Sequence, residues 1–151
     1  MTYRILFVCL GNICRSPSAE GVLRAKAEQR GLPLEIDSAG TGDWHVGEPP
    51  YGPMQRAAKA RGYDLSGLRA RQVSPEDFHH FDLIVGMDGA NMSNLLALRP
   101  DGSKAALALF TDYAPEIGAS EVPDPYYTRD FDGTLDLVEL AAEGLLARLP
   151  L

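Results

Sequence analysis

A continuous apolar run, Ile5-Leu6-Phe7-Val8, leads directly into Cys9-Leu10-Gly11-Asn12-Ile13-Cys14-Arg15-Ser16, and Pro17 follows. Successive apolar residues before a glycine-containing loop predict a strand buried on both faces, the kind found at the centre of a parallel sheet. Ser16 suits a helix N-cap and Pro17 the first helical position, where its missing N–H would be orphaned in any case. Strand, short loop and helix start together aim backbone N–H groups and the positive end of a helix dipole at one point. Cys9 stands at the mouth of that site, and Arg15 follows after five intervening residues. A thiolate and a phosphate-sized anion would want the same place.

The rest of the chain supplies the parts of a layered domain. Ala19, Val22, Leu23 and Ala27 keep a helical stripe that Lys26 interrupts, and Gly31 and Pro33 stop it. Leu34-Glu35-Ile36-Asp37 alternates apolar with charged, as a half-exposed edge strand does. Strand, helix and second strand make a right-handed parallel crossover. Residues 39–53 are rich in Gly and Pro, carry the only tryptophan, Trp44, and read as a surface loop. A short helix is expected over Met54 to Arg61, stopped by Gly62, and another with Ser74 as cap and Pro75 as first residue. Asp82 to Met87 reads as a second central strand, Asp88-Gly89-Ala90-Asn91 as the turn into a helix through Leu98, and Ala106 to Phe110 as a fourth strand. Residues 112–133 read as a long polar loop, and such loops in compact domains usually carry function. In the last helix Leu135, Val138, Ala141, Ala142, Leu145, Leu146 and Leu149 form one wide apolar face. The expectation is one α/β domain over residues 1–151, three layers deep. It has a four-stranded parallel sheet flanked by helices and a phosphate-binding loop after the first strand. Ligands of such sheets sit beyond the carboxyl ends of the strands, where the Cys9 loop would lie.

Charge narrows the partners. The formal net charge is −7 and no Lys/Arg-rich run offsets it, so nucleic acid is not an expected partner. An anionic ligand stays compatible, because a pocket's local field can oppose the net charge. No stretch reaches the roughly 18 apolar residues of a membrane span, and no signal-peptide pattern is read at the N-terminus. Two cysteines are too few for a disulfide scaffold. Close together on one loop, they read as reactive thiols in a reducing, cytoplasmic setting.

The chemistry of the first loop follows from its residue types. A helix N-terminus and a neighbouring arginine favour the thiolate, which is the nucleophilic form of Cys9. Arg15 presents a planar fork that can bind two oxygens of a tetrahedral phosphate at once, as lysine cannot. Gly11 permits close backbone approach, and Asn12 can hold the loop by side-chain-to-backbone hydrogen bonds. The Ser16 hydroxyl could donate to the sulfur and make it a better leaving group. A nucleotide-binding Walker loop is excluded, since no Gly-Lys-Ser/Thr ending is present.

Val8-Cys9-Leu10-Gly11-Asn12-Ile13-Cys14-Arg15-Ser16-Pro17 resembles the whole active-site loop of the low-molecular-weight protein tyrosine phosphatases, and Asp124-Pro125-Tyr126-Tyr127 is similar to their second signature. Further likenesses run through Asp37-Ser38, the Trp44 loop, Ala70-Arg71-Gln72-Val73 and Met87-Asp88, in the family's order. The resemblance implies that Cys9 attacks phosphorus, that Arg15 and the loop Leu10, Gly11, Asn12, Ile13, Cys14 and Ser16 hold the phosphate, and that Asp124 protonates the departing phenolate. It implies no metal and no other cofactor, and phosphotyrosine-containing proteins as substrates; the oligomeric state stays open, with a monomer the favoured reading. Trp44, Tyr126 and Tyr127 would wall a slot deep enough for a phenyl phosphate and too deep for phosphoserine. Cys14 is placed to trap an oxidised Cys9 as a disulfide.

Two neighbouring families fit less well. Thiol-type arsenate reductases pass a disulfide along further cysteines, and none follows Cys14 here. Protein arginine phosphatases carry threonine where this chain has Ile13 and lack the paired tyrosines. One departure from the resemblance concerns the bracing of the loop. The family often has a histidine two residues before Ala-Arg-Gln, where this chain has Leu68, so the network behind Asn12 is either completed differently, by Ser38 for example, or looser.

Overall fold

The computed structural model describes residues 2–150. Four parallel strands, β1 (Tyr3–Cys9), β2 (Leu34–Gly40), β3 (Leu83–Gly86) and β4 (Ala106–Leu109), form one sheet in the order β2-β1-β3-β4. The strand order reverses at β1/β3. The crevice beyond the carboxyl ends of these two strands is where a doubly wound sheet binds its ligand.

Strand alternation sorts the core into two halves. Ile5, Phe7 and Cys9 of β1 and Leu83 and Val85 of β3 face one way. They pack on α1 (Arg15–Gln29), α2 (Gly52–Ala60) and the long α6 (Phe131–Ala147). Leu6, Val8 and Ile84 face the other way and meet α3 (Asp77–His80) and α4 (Gly89–Leu98) through Phe78 and Leu95. With both faces covered, the continuous apolar runs of β1 and β3 are accounted for. Each fully buried Leu, Ile or Phe contributes roughly 1.5–3 kcal/mol relative to leaving it exposed.

Several boundaries differ from the sequence reading for local reasons. Helix α1 begins at Arg15, with Cys14 as cap residue and no side-chain cap. Ser16 is therefore not the cap; its hydroxyl is engaged behind the loop instead. Gly31, at φ +63°, ends the helix in the left-handed conformation that glycine tolerates. Lys26, which breaks the apolar stripe, reaches Glu143 of α6 at 2.8 Å. The loop expected over 39–53 is shorter, since β2 runs to Gly40 and α2 starts at Gly52. The helix expected from Ser74 starts at Asp77, with Glu76 as cap residue and no side-chain cap, and the Asp77 carboxylate instead accepts the Ser74 N–H at 2.9 Å. Phe110 leaves β4 for a 3₁₀ turn over Phe110–Tyr113, and its ring packs on Phe7 with centroids 5.2 Å apart.

Residues 112–133 are more ordered than a loop. They contain a second 3₁₀ turn (Pro115–Ile117), the four-residue helix α5 (Pro125–Thr128) and the first turn of α6. Asp130 caps α6 by accepting the Gly133 N–H at 2.9 Å. The first turn of α6, Phe131 to Thr134, carries few apolar residues, so periodicity alone placed the start of this helix too late. Among the described residues no helix is long and apolar enough to cross a membrane.

Candidate active site

Cys9 is the last residue of β1, and the loop after it doubles back so that the Asn12 N–H points at the Cys9 sulfur, 3.3 Å away. Asn12 holds φ +56°, the left-handed region that asparagine tolerates better than other residues with a side chain. What maintains it is a saturated amide. Oδ1 accepts the Arg71 N–H at 3.0 Å, and Nδ2 donates to Ser16 Oγ at 2.8 Å and to Ser38 Oγ at 2.9 Å. Ser16 Oγ accepts from Asn12 and keeps one proton, which either Cys9 Sγ at 3.0 Å or the Ala39 carbonyl at 3.4 Å can accept. The Asn12 N–H and the Ser16 hydroxyl thus both converge on the sulfur.

The bracing continues inward from Ser38. Its hydroxyl donates to Glu20 Oε1 at 2.6 Å, and Glu20 Oε2 accepts from Arg24 Nη2 at 2.6 Å. Ser38 therefore does complete the network behind Asn12, while Leu68 packs against the apolar core. Glu20 was not singled out in the sequence, although an acidic residue inside the stripe of α1, four before Arg24, is a readable pattern. Its buried carboxyl is raised above the ordinary range by desolvation, opposed by the Ser38 hydroxyl and Arg24. Arg71 reaches Asn12 because residues 71–73 run beside the end of β2, Gly40 N–H donating to Arg71 O and Val73 N–H to Gly40 O. Only glycine fits at position 40, since a Cβ there would stand 2.7 Å from the Leu10 carbonyl oxygen.

Arg15 opens α1 and is 2% exposed. Nη1 donates to Asp88 Oδ2 at 2.6 Å and to Val122 O at 3.1 Å, while Nη2 stands 3.5 Å from Asp124 Oδ2. Nε has no hydrogen-bond partner among the described residues. One edge of the fork is thus anchored, and the Nε/Nη2 edge is left for an incoming anion. Burial works against the guanidinium charge, but Cys9, Asp88 and Asp124 outweigh it and hold Arg15 more firmly protonated than a free arginine. Asp88 has two tasks, since its Oδ1 also caps α4 by accepting the Asn91 N–H at 2.8 Å. That dual use was not legible in the sequence, where Asp88 reads as a turn residue and, with Met87, as one of the likenesses to the family. Cys14 is buried, and desolvation, then the charges of Cys9 and Asp124, push its thiol up to about 12.

Asp124 is the N-cap of α5, Oδ1 accepting the Tyr126 N–H at 3.1 Å while Oδ2 faces Arg15. A cleft of about 280 Å³ brings together Cys9, Leu10, Gly11, Ile13, Cys14, Arg15, Trp44, Asp124, Tyr126 and Tyr127. Asn12 and Ser16 are not on its wall; they stand behind the loop as braces. Trp44 and Tyr127 are 69% and 73% exposed, so they form the rim, and Tyr126, at 42%, lies deeper. His45 also lines the cleft, its ring against Gly11 and its Nδ1 within 2.6 Å of Glu48 Oε2. Sequence reasoning gave it no role. Among the described residues no group of three or more His, Cys, Asp or Glu side chains is placed to hold a metal ion.

The chain was compared with known proteins. A family model described as low molecular weight phosphotyrosine protein phosphatase matches residues 4–150. The Synechocystis protein slr0328 is 48% identical over 97% of this chain and 96% of its own length. The low molecular weight protein-tyrosine-phosphatase YfkJ of Bacillus subtilis is 40% identical over 96% of this chain and 94% of its own. Its crystal structure superposes with a TM-score of 0.92, covering 97% of this chain and 94% of that one. A protein tyrosine phosphatase from Entamoeba histolytica, 38% identical, superposes with a TM-score of 0.91 over 97% and 96% of the two chains.

Proposed function

The chain belongs to the low-molecular-weight phosphotyrosine protein phosphatases, and from that premise we propose that it hydrolyses phosphotyrosine in proteins by a two-step transfer through Cys9. In the first step the Cys9 sulfur attacks phosphorus in line. The S–P bond forms as the bond from phosphorus to the phenolic oxygen breaks, and Asp124 gives its proton to that oxygen. In the second step Asp124, now a carboxylate, takes a proton from water as the water oxygen attacks phosphorus. The S–P bond breaks, inorganic phosphate leaves and the thiolate is restored. The Nε/Nη2 edge of Arg15 and the amides of the loop hold the three equatorial oxygens throughout, which stabilises the charge without a metal ion. The Ser16 hydroxyl at the sulfur makes the thiolate a better leaving group in the second step.

One observation carries this reading. Asp124 Oδ2 stands 3.5 Å from Arg15 Nη2, so a carboxyl far away in sequence faces the same anion site as the thiol. A phosphate-binding or thiol-sensing protein has no need of it. Ile13 and the aromatic residues Trp44, Tyr126 and Tyr127 give the cleft apolar walls suited to a phenyl ring. The test is kcat/KM on phosphotyrosine, phosphoserine and phosphoarginine peptides of the same flanking sequence. Phosphotyrosine should lead the others by at least about tenfold, the least that one aryl ring's worth of apolar contact supplies. Equal rates, or a phosphoarginine preference, would contradict the assignment.

Cys14 belongs to the same proposal as a trap for oxidised Cys9. A peroxide converts the Cys9 thiolate to the sulfenic acid, the Cys14 sulfur attacks it, and a disulfide forms with loss of water. One of the charges that keep Cys14 protonated is that of Cys9 itself, and this charge disappears when Cys9 is oxidised.

A further inference from the structure

Helix α5 carries Asp124 at its N-terminal end, yet little holds it in place. It is four residues long, and only Pro125 among them is buried. A single turn of helix has no stability of its own, so the angle at which Asp124 meets the anion site must be fixed from outside. The C-terminal end shows how. Arg129 follows α5 at φ +63°, a left-handed conformation that a long side chain seldom adopts. Its N–H closes α5 on the Pro125 carbonyl at 2.9 Å. Its guanidinium lies over two rings at once, 5.2 Å from the centroid of Tyr51 and 5.2 Å from that of Phe131, and Nη1 donates to the Tyr51 hydroxyl at 2.9 Å.

Tyr51 is the link to the phosphate site. Its backbone N–H donates to the Ile13 carbonyl at 2.8 Å, and its ring packs on Tyr126 with centroids 5.2 Å apart. The α5 segment is therefore tied to the Cys9 loop at both ends, by Asp124 at Arg15 and by Arg129 through Tyr51 at Ile13. We propose that Arg129 and Tyr51 form a latch that positions Asp124 for proton transfer and Tyr126 as a wall of the cleft. This inference rests on the reading of Asp124 as the proton donor. Arg129 and Tyr51 are positioning residues; neither lines the cleft.

The backbone at position 129 makes a clean test possible. Arg129→Gly removes the latch and relieves the left-handed strain, so the fold is kept, and Arg129→Asn does the same with another residue that tolerates this region. The readout is kcat/KM for wild type, both variants and Asp124→Ala on aryl phosphates of increasingly basic phenols, from para-nitrophenyl to phenyl phosphate. A proton donor matters most for the most basic leaving group. On phenyl phosphate both Arg129 variants should lose about tenfold, a part of the 10²–10⁴-fold that a well-placed general acid supplies, and on para-nitrophenyl phosphate less than about twofold. No loss in either variant, or an equal loss on every substrate, overturns the latch alone. If Asp124→Ala shows the same dependence on leaving-group basicity as wild type, the reading of Asp124 fails and the latch with it.

Discussion

Behind the nucleophile lies one continuous chain of hydrogen bonds, running from Arg24 through Glu20, Ser38, Asn12 and Ser16 to Cys9. Glu20 at one end only accepts as a carboxylate, and in the middle the Arg71 N–H occupies the Asn12 oxygen, so the Asn12 amide donates to both hydroxyls. Ser38 gives its proton to Glu20, and Ser16 keeps one proton for Cys9 Sγ or the Ala39 carbonyl. The cost of the arrangement falls on Glu20, whose buried carboxyl is raised above its ordinary value by desolvation. An unfolded chain releases that proton at lower pH than the folded one. The contribution of Glu20 to stability is therefore present in acid and lost as pH rises through the folded value. Glu20→Gln cannot titrate. Urea midpoints should show wild type losing ground to Glu20→Gln as pH rises through and above the usual carboxylate range. A difference that moves the other way would mean that the carboxylate is better solvated than its burial implies.

At the level of elements, helix α6 sets local preference against packing at Gly144. Alanine is favoured over glycine in a helix interior by about 0.8–1.0 kcal/mol. A Cβ at Gly144 would, however, stand 1.8 Å from the Tyr113 carbonyl oxygen, and a backbone atom cannot swing aside. Overpacking of this kind costs about 1–3 kcal/mol, so Gly144→Ala should destabilise in urea despite its better propensity. A more stable variant would show that the turn over Phe110–Tyr113 is free to move.

The same contrast explains what was legible in the sequence. Elements with a strong period or an unbroken apolar run, such as β1, β3 and the body of α6, were readable, because burial on two faces or one face leaves a pattern. Helix α5 and the first turn of α6 were not. They are held by the side-chain caps Asp124 and Asp130, and four-residue elements have no periodicity to read. In the candidate site Cys9, Arg15 and Asp124 were readable from signatures in the chain. Glu20, Asp88 and His45 take their roles through tertiary contacts with Ser38, Arg15 and Gly11; the Glu20–Arg24 spacing shows a helical pair but not its partner Ser38.

For the whole molecule, a net charge of −7 surrounds a site built for a dianion. Arg15 is the cation at the bottom of the cleft, and Asp88 and Asp124 already share its charge. The long-range field should therefore disfavour acidic substrates, with the local site supplying the attraction. Phosphotyrosine peptides with Lys or Arg flanks should react with higher kcat/KM than those with Asp or Glu flanks. That preference should shrink as salt shortens the Debye length from about 30 Å at 0.01 M to about 8 Å at 0.15 M. A preference for acidic flanks, or one that salt leaves untouched, would place the discrimination in direct contacts at the rim instead.

The most direct test of the central claim is to stop turnover of para-nitrophenyl phosphate with a rapid denaturing quench and map the phosphoryl group by peptide mass spectrometry. The phosphoryl group is expected on the sulfur of Cys9, and Cys9→Ser should lose both the label and the turnover. A phosphoryl group on another residue, or substantial turnover by Cys9→Ser, would contradict the assignment of Cys9 as nucleophile.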